Sequence, residues 1–257
     1  MQAAVAPPVT IEHGYRAMYD LRFADAHRIF AEWQKLHPED PFASVSDAAA
    51  YLFTEFERLH ILEAEFFLDD QGFKKGSKLT PDPLLKANFE RTLGEADRLA
   101  TAALSKSADD KNAIFAKIMV HGLRSDYQGL IEKRYLASLS EMQAGRKYAE
   151  RLLQIDPKFG DAHLAIGVEN YVLSLKPMAV RWLLRAYGSE TDSVRAAQKI
   201  QLCMESCLYM KPFARLLQAV AAVREKKYDR AREILHALAR EFPSNPLYVQ
   251  QAAKLPK

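Results

Sequence analysis

Apolar residues return every three or four positions along nearly the whole chain, and nowhere does the sequence alternate as a half-buried strand would. That period predicts about a dozen helices, over 9–20, 24–37, 43–68, 81–106, 110–123, 127–156, 159–173, 178–187, 191–209, 212–225, 228–241 and 244–254. Thr80-Pro81-Asp82 reads as an N-cap, a first helical position and an acid favoured by the helix dipole. Asp69 to Ser77 reads as one long loop and Gly188 to Asp192 as a second, with Thr191 as a cap. No stretch is rich enough in Pro, Gly or Ser to divide the chain. The expectation is therefore one all-α domain over 1–257, with a flexible start over 1–8.

Composition sharpens this picture. Only 10 of 257 residues are Gly, which suits long helices. Hydrophobic residues make up 49%, enough for a core, so disorder is excluded as the main state. No run approaches the roughly 18 apolar residues of a membrane span, so no integral membrane segment is expected. The 36 basic and 33 acidic residues nearly cancel, to a net +3, which argues against nucleic acid as a partner. The densest basic run, Arg224, Lys226, Lys227, Arg230 and Arg232, is interleaved with Glu225, Asp229 and Glu233 and reads as a solvated helix face. The start MQAAVAPP has neither a basic region nor an apolar stretch of signal-peptide type. It suits a mature N-terminus left after removal of an export signal, with Met1 added, so the compartment leans to exported or periplasmic and is otherwise cytoplasmic.

Internal repetition is the strongest signal. Phe23, Ala26, Phe30 and Pro38 follow one another at offsets of 3, 4 and 8, and so do Tyr228, Ala231, Leu235 and Pro243. Gly145, Ala149 and Pro157 repeat the last two offsets, and Gly167 and Tyr171 follow Pro157. These segments, near 7–43, 126–173 and 212–254, resemble the tetratricopeptide repeat (TPR). A degenerate unit falls between Leu104 and Tyr127, and longer inserted helices separate the copies. The resemblance covers about half the chain. It implies an α-solenoid of antiparallel helix pairs with an irregular superhelix, in which small residues let paired helices approach and each Pro stops a helix.

The resemblance also implies a concave face lined by the first helix of each pair, used to bind a protein or peptide. Aligning the units on their prolines puts Tyr15, Met18 and Tyr19 there, then Met119, Leu123 and Tyr127, then Leu164, Val168 and Tyr171, then Leu216, Val220 and Arg224. These are mostly apolar, whereas a clamp for a peptide carboxylate needs Lys, Arg and Asn. An apolar segment is the expected guest, and filling of the groove by the inserted helices is the competing arrangement. A second candidate is polar. Glu169 and Asn170 lie beside an apolar run, and Arg181 and Arg185 flank Trp182 four residues apart. That group suits a carboxylate or phosphate ligand, or an internal Arg–Glu link.

Catalytic signatures are missing: the sequence has no HExxH, GxSxG, P-loop or GxGxxG pattern. Glu57-Arg58-Leu59-His60 and Glu233-Ile234-Leu235-His236 match the ExxH half of a di-iron bundle, but the two further Glu from separate helices are missing. Cys203 and Cys207, one helical turn apart, read as two small buried hydrophobes, because their Cβ atoms would point the same way. The expectation is a non-enzymatic TPR-type scaffold with no cofactor. The alternatives are a small-molecule or metal function in a pocket between repeats and inserted helices, and a self-associating subunit.

Overall fold

The computed structural model describes residues 10–62, 79–174 and 193–256, and of residues 171–174 and 193–197 it describes the backbone alone. Every regular element among them is helical: α1 (Ile11–Tyr19), α2 (Phe23–Leu36), α3 (Pro41–Arg58), α4 (Pro83–Lys106), α5 (Lys111–Asp126), a π turn (Tyr127–Ile131), α6 (Tyr135–Ile155), α7 (Gly160–Ser174), α8 (Ser193–Ser206), α9 (Lys211–Arg224), α10 (Tyr228–Glu241) and α11 (Leu247–Lys254). Each helix packs against the next in sequence wherever both are described, as a solenoid of antiparallel pairs requires. The predicted helix over 178–187, both loops with Thr191, and the flexible start over 1–8 lie outside the described residues.

The repeat positions are the buried ones. Ala26, Gly145 and Ala231 occupy the same place in their units, and all three are buried where two helices touch. Phe30, Ala149 and Leu235, four residues on, are buried beside them. A Cβ on Gly14 would run into the Phe30 ring, so glycine sets the close approach of α1 and α2. The first and last units also share a backbone device. Leu21 and Lys226, each five residues before the small residue, adopt φ of 57° and 60°. The following amides, of Arg22 and Lys227, donate back to the carbonyls of Ala17 and Ala222, as in a Schellman end.

Several helix ends differ from the sequence expectation, each for a local reason. The helix expected over 43–68 starts at Pro41 and stops at Arg58. Asp40 caps it through the Phe42 amide, and His60 turns left-handed at φ 58°. The cap of α4 is Asp82, not Thr80: its carboxylate accepts from the amides of Leu84 and Leu85, with Pro83 in the first turn. The break expected near residue 125 falls later, because α5 runs into the π turn and the chain reverses at Lys133. Gly129 lets that turn lie on α6, where a Cβ would meet the Ser138 hydroxyl at 2.8 Å.

The cysteines correct the sequence reading. Cys203 and Cys207 form a disulfide. Helix α8 ends at Ser206, so Cys207 has left the helical path and its Cα comes to 4.7 Å from that of Cys203, within the range a disulfide needs.

The first and last units meet. Arg16 donates to the Glu241 carbonyl, the Ser244 amide donates to Asp20, and Asn245 donates to the Tyr19 carbonyl. Tyr19 lies 5.8 Å from Phe242, ring centre to ring centre. One continuous core therefore runs from Ile11 to Ala252. Its aromatic centre is Tyr209, in the link between α8 and α9, within 6.2 Å of the rings of Tyr15, Phe42 and Phe115.

Candidate functional site

This closure decides where the expected groove residues go. Tyr15, Met18, Tyr19, Met119, Leu123, Tyr127, Leu164 and Val220 are all buried, none more than 7% exposed. Tyr15, Met18 and Tyr19 sit under the link and the last unit rather than on an open face. Val220 and Leu216 join Met18 and Tyr19 around a small apolar void of about 50 Å³. Tyr127 stacks on Phe89 at 5.0 Å, under the Lys86 ammonium. Arg224 is half-buried at the end of α9. The side chain of Tyr171 is not described, and Arg181, Trp182 and Arg185 lie outside the described residues. Tyr15, Met18 and Tyr19 are thus covered by the α8–α9 link and the last unit.

The middle of the chain differs. Between α5, the π turn, α6 and α7 lies an open cavity of about 420 Å³. Met119, Leu164 and Val168 of the expected groove line it, with Phe115, Leu139 and Met142. Its polar lining is sparse: Ser125, Asp126, Ser138, Arg146, Asp161 and Glu169. The size falls within the range of roughly 300–1,000 Å³ usual for ligand sites, and the chemistry, apolar with a few polar groups, is of the same kind. Tyr135 and Leu136 at the start of α6 belong to the lining and yet are 45% and 86% exposed, which marks the entrance.

The charged groups of the lining are in different states. Asp161 is buried and accepts three backbone N–H groups, from Leu208, Tyr209 and Met210. Burial raises its pKa and the amides pull it back down, with burial the larger influence. Arg146 donates to Glu150 at 2.7 Å and reaches to 3.9 Å from Glu169, so the described Arg facing Glu169 is one the sequence reading had not paired with it. Glu169 and its neighbour Asn170 are both buried. Asp126 is the exception. No hydrogen bond or ion pair reaches its carboxylate from the described residues, and burial pushes its pKa up to about 7.

The sequence reading passed over Asp126, although a signal was there. It lies seven residues after Met119 and three after Leu123, so it falls on the apolar stripe of α5, where a carboxylate is out of place. The π turn that follows has no sequence mark beyond Gly129, and such turns are frequent at functional sites.

Among the described residues no three His, Cys, Asp or Glu side chains gather in a way that could hold a metal ion. His60 falls beyond the end of α3, so Glu57 and His60 do not share a helix face. No helix among the described residues is long and apolar enough to cross a membrane. No protein-family model matches this sequence, and no curated protein does either.

Proposed function

We propose that the chain is a non-catalytic helical-repeat binding protein, and that its guest is a small, largely apolar ligand held between α5, the π turn, α6 and α7. The observation that carries this reading is the open 420 Å³ cavity, in a molecule whose groove residues Tyr15, Met18, Tyr19 and Val220 are buried under its own side chains. An extended peptide laid along the whole first-helix face would have to displace Tyr209 and the last unit from Tyr15 and Tyr19. A compact guest meets Met119, Leu164 and Val168 without moving anything. A protein partner is favoured at one place only, the exposed Tyr135–Leu136 lip, where a partner's apolar side chain would enter the same cavity.

The test is saturable binding of an uncharged apolar dye, Nile red, to wild type and to Gly122→Trp. A Cβ on Gly122 meets nothing within 4 Å and Gly122 belongs to the lining, so the variant adds bulk at the cavity without a clash at the backbone. One-to-one binding by wild type, lost in the folded variant, is the expected result. No saturable binding, or equal binding by the variant, overturns the reading.

A further inference from the structure

We infer that the guest of this cavity is an amphipathic amine: an apolar body with one ammonium group, which pairs with Asp126. This inference rests on the cavity reading above and names the chemistry of the guest.

The charged groups of the cavity lining are Asp126 on α5, Arg146 on α6, and Asp161 and Glu169 on α7. Among the described residues, three carboxylates and one guanidinium therefore face the cavity. That guanidinium is held between Glu150 and Glu169. Asp161 is engaged by three amides of the α8–α9 link, so it is tied to the fold and not open to a ligand. Asp126 is left, with no donor or cation from the described residues on its carboxylate, at the edge of an apolar volume. A charge so placed is unfavourable without a ligand, because partial burial removes much of its water and no described side chain replaces it. A ligand ammonium supplies what is missing, through a charge-assisted hydrogen bond in a site that excludes much of the water. An anionic ligand would meet the like charge of Asp126, and a neutral alcohol would offer it a hydrogen bond but no charge. The apolar walls, Phe115, Met119, Leu139 and Met142 among them, accept the hydrocarbon body.

Binding of a cation here also moves a proton. The carboxyl, held near pH 7 in the empty site, becomes fully ionised beside the ammonium, and the proton it gives up goes to the buffer. The proton balance is thus distinct for an amine and for an alcohol of the same shape.

The experiment is calorimetric titration of the full chain at pH 7 with octylammonium, 1-octanol and octanoate, three probes with one tail and three head groups. Each is run with wild type and with Asp126→Asn, in two buffers of different ionisation heat. The expected result is that octylammonium binds wild type about tenfold or more tighter than 1-octanol and releases protons. In Asp126→Asn octylammonium should no longer bind more tightly than 1-octanol and should no longer release protons. Equal affinities of octylammonium and 1-octanol for wild type, or an amine preference that survives in Asp126→Asn, would overturn the inference and leave the cavity reading standing. If none of the three probes binds, the cavity reading fails and the inference fails with it.

Discussion

Asp161 accepts the backbone N–H of Tyr209, at 3.2 Å, and its carboxylate also takes the amides of Leu208 and Met210, at 2.9 and 2.8 Å. One side chain at the start of α7 therefore fixes three consecutive amides of the α8–α9 link. Gly160 before it is needed for the approach, since a Cβ there would collide with the backbone of Ser206 and Cys207. With the link held, the Tyr209 ring reaches Tyr15, Phe42 and Phe115, and the first and last units close around it. Removing the carboxylate leaves three part-buried donors without this acceptor at once. Asp161→Ala is expected to lower the free energy of unfolding by about 3 kcal/mol, and Asp161→Asn by less, because its amide oxygen still accepts. Urea unfolding of the three proteins checks this, and an unchanged midpoint in Asp161→Ala would show that the link is held by other means.

The same closure changes what a groove substitution does. Tyr19 is 6% exposed, packs on Phe53 and Phe242, and its carbonyl receives Asn245 from the last unit. On an open binding face, Tyr19→Glu would spare the fold. Here it puts a carboxylate between the first and last units. A loss of about 3 kcal/mol or more is expected, through an unpaired buried charge. Tyr19→Phe should cost far less, since it removes only the hydroxyl, with its 3.9 Å contact to the Met210 sulfur and its contact with the Phe213 backbone. Thermal melts separate the two, and a Tyr19→Glu protein that melts with wild type would mean these units do not close.

Much of this architecture is legible in the residues, and the rest is hidden for definite reasons. The spacing of Ala26, Phe30, Ala231 and Leu235 shows the helices and their buried faces, because both follow from a period within one helix. The cap at Asp82 is missed by two residues, because Thr80, Pro81 and Asp82 all carry cap-like chemistry and only geometry chooses among them. The disulfide depends on α8 ending at Ser206, three residues before the expected end. The closure rests on bonds such as Asp161 to Met210 and Asp20 to Ser244, which join residues 49 and 224 positions apart and leave no local trace. The cavity is half visible: Met119, Leu164 and Val168 stand in the expected stripe, but the isolation of Asp126 depends on what α6 and α7 fail to bring to it.

Leu21 and Lys226 offer a test of the repeat itself. Both are non-glycine residues at positive φ in the same turn of the first and last units. The left-handed region is strained for a side chain by roughly 1 kcal/mol, and glycine relieves it at some entropic loss in the unfolded chain. Lys226→Gly is expected to raise stability by about 0.5 kcal/mol, and Leu21→Gly by less, because Leu21 also lines the apolar void beside Tyr19. Denaturant midpoints measure both. Destabilisation by Lys226→Gly would show that this turn does not adopt the left-handed form in solution.

Asp126 makes stability depend on pH in a direction unusual for a carboxylate. Burial holds its folded pKa at about 7, above the roughly 4 of an unfolded Asp. Between those values the folded protein binds the proton more tightly than the unfolded chain does. The group's favourable contribution is therefore complete below about pH 4 and is lost as pH rises towards 7. Above that, the folded protein carries a desolvated charge. Three pH units correspond to about 4 kcal/mol as an upper bound, and because Asp126 is only half-buried and water reaches part of it, about 2 kcal/mol is the working figure. Asp126→Asn cannot ionise, so it should match wild type in urea unfolding at pH 4 and exceed it by about 2 kcal/mol at pH 8. Comparing variant with wild type at each pH cancels the other titrating groups. A constant difference across that range would mean that Asp126 is solvated in the folded protein, and the ammonium partner assigned to it would then have no vacancy to fill.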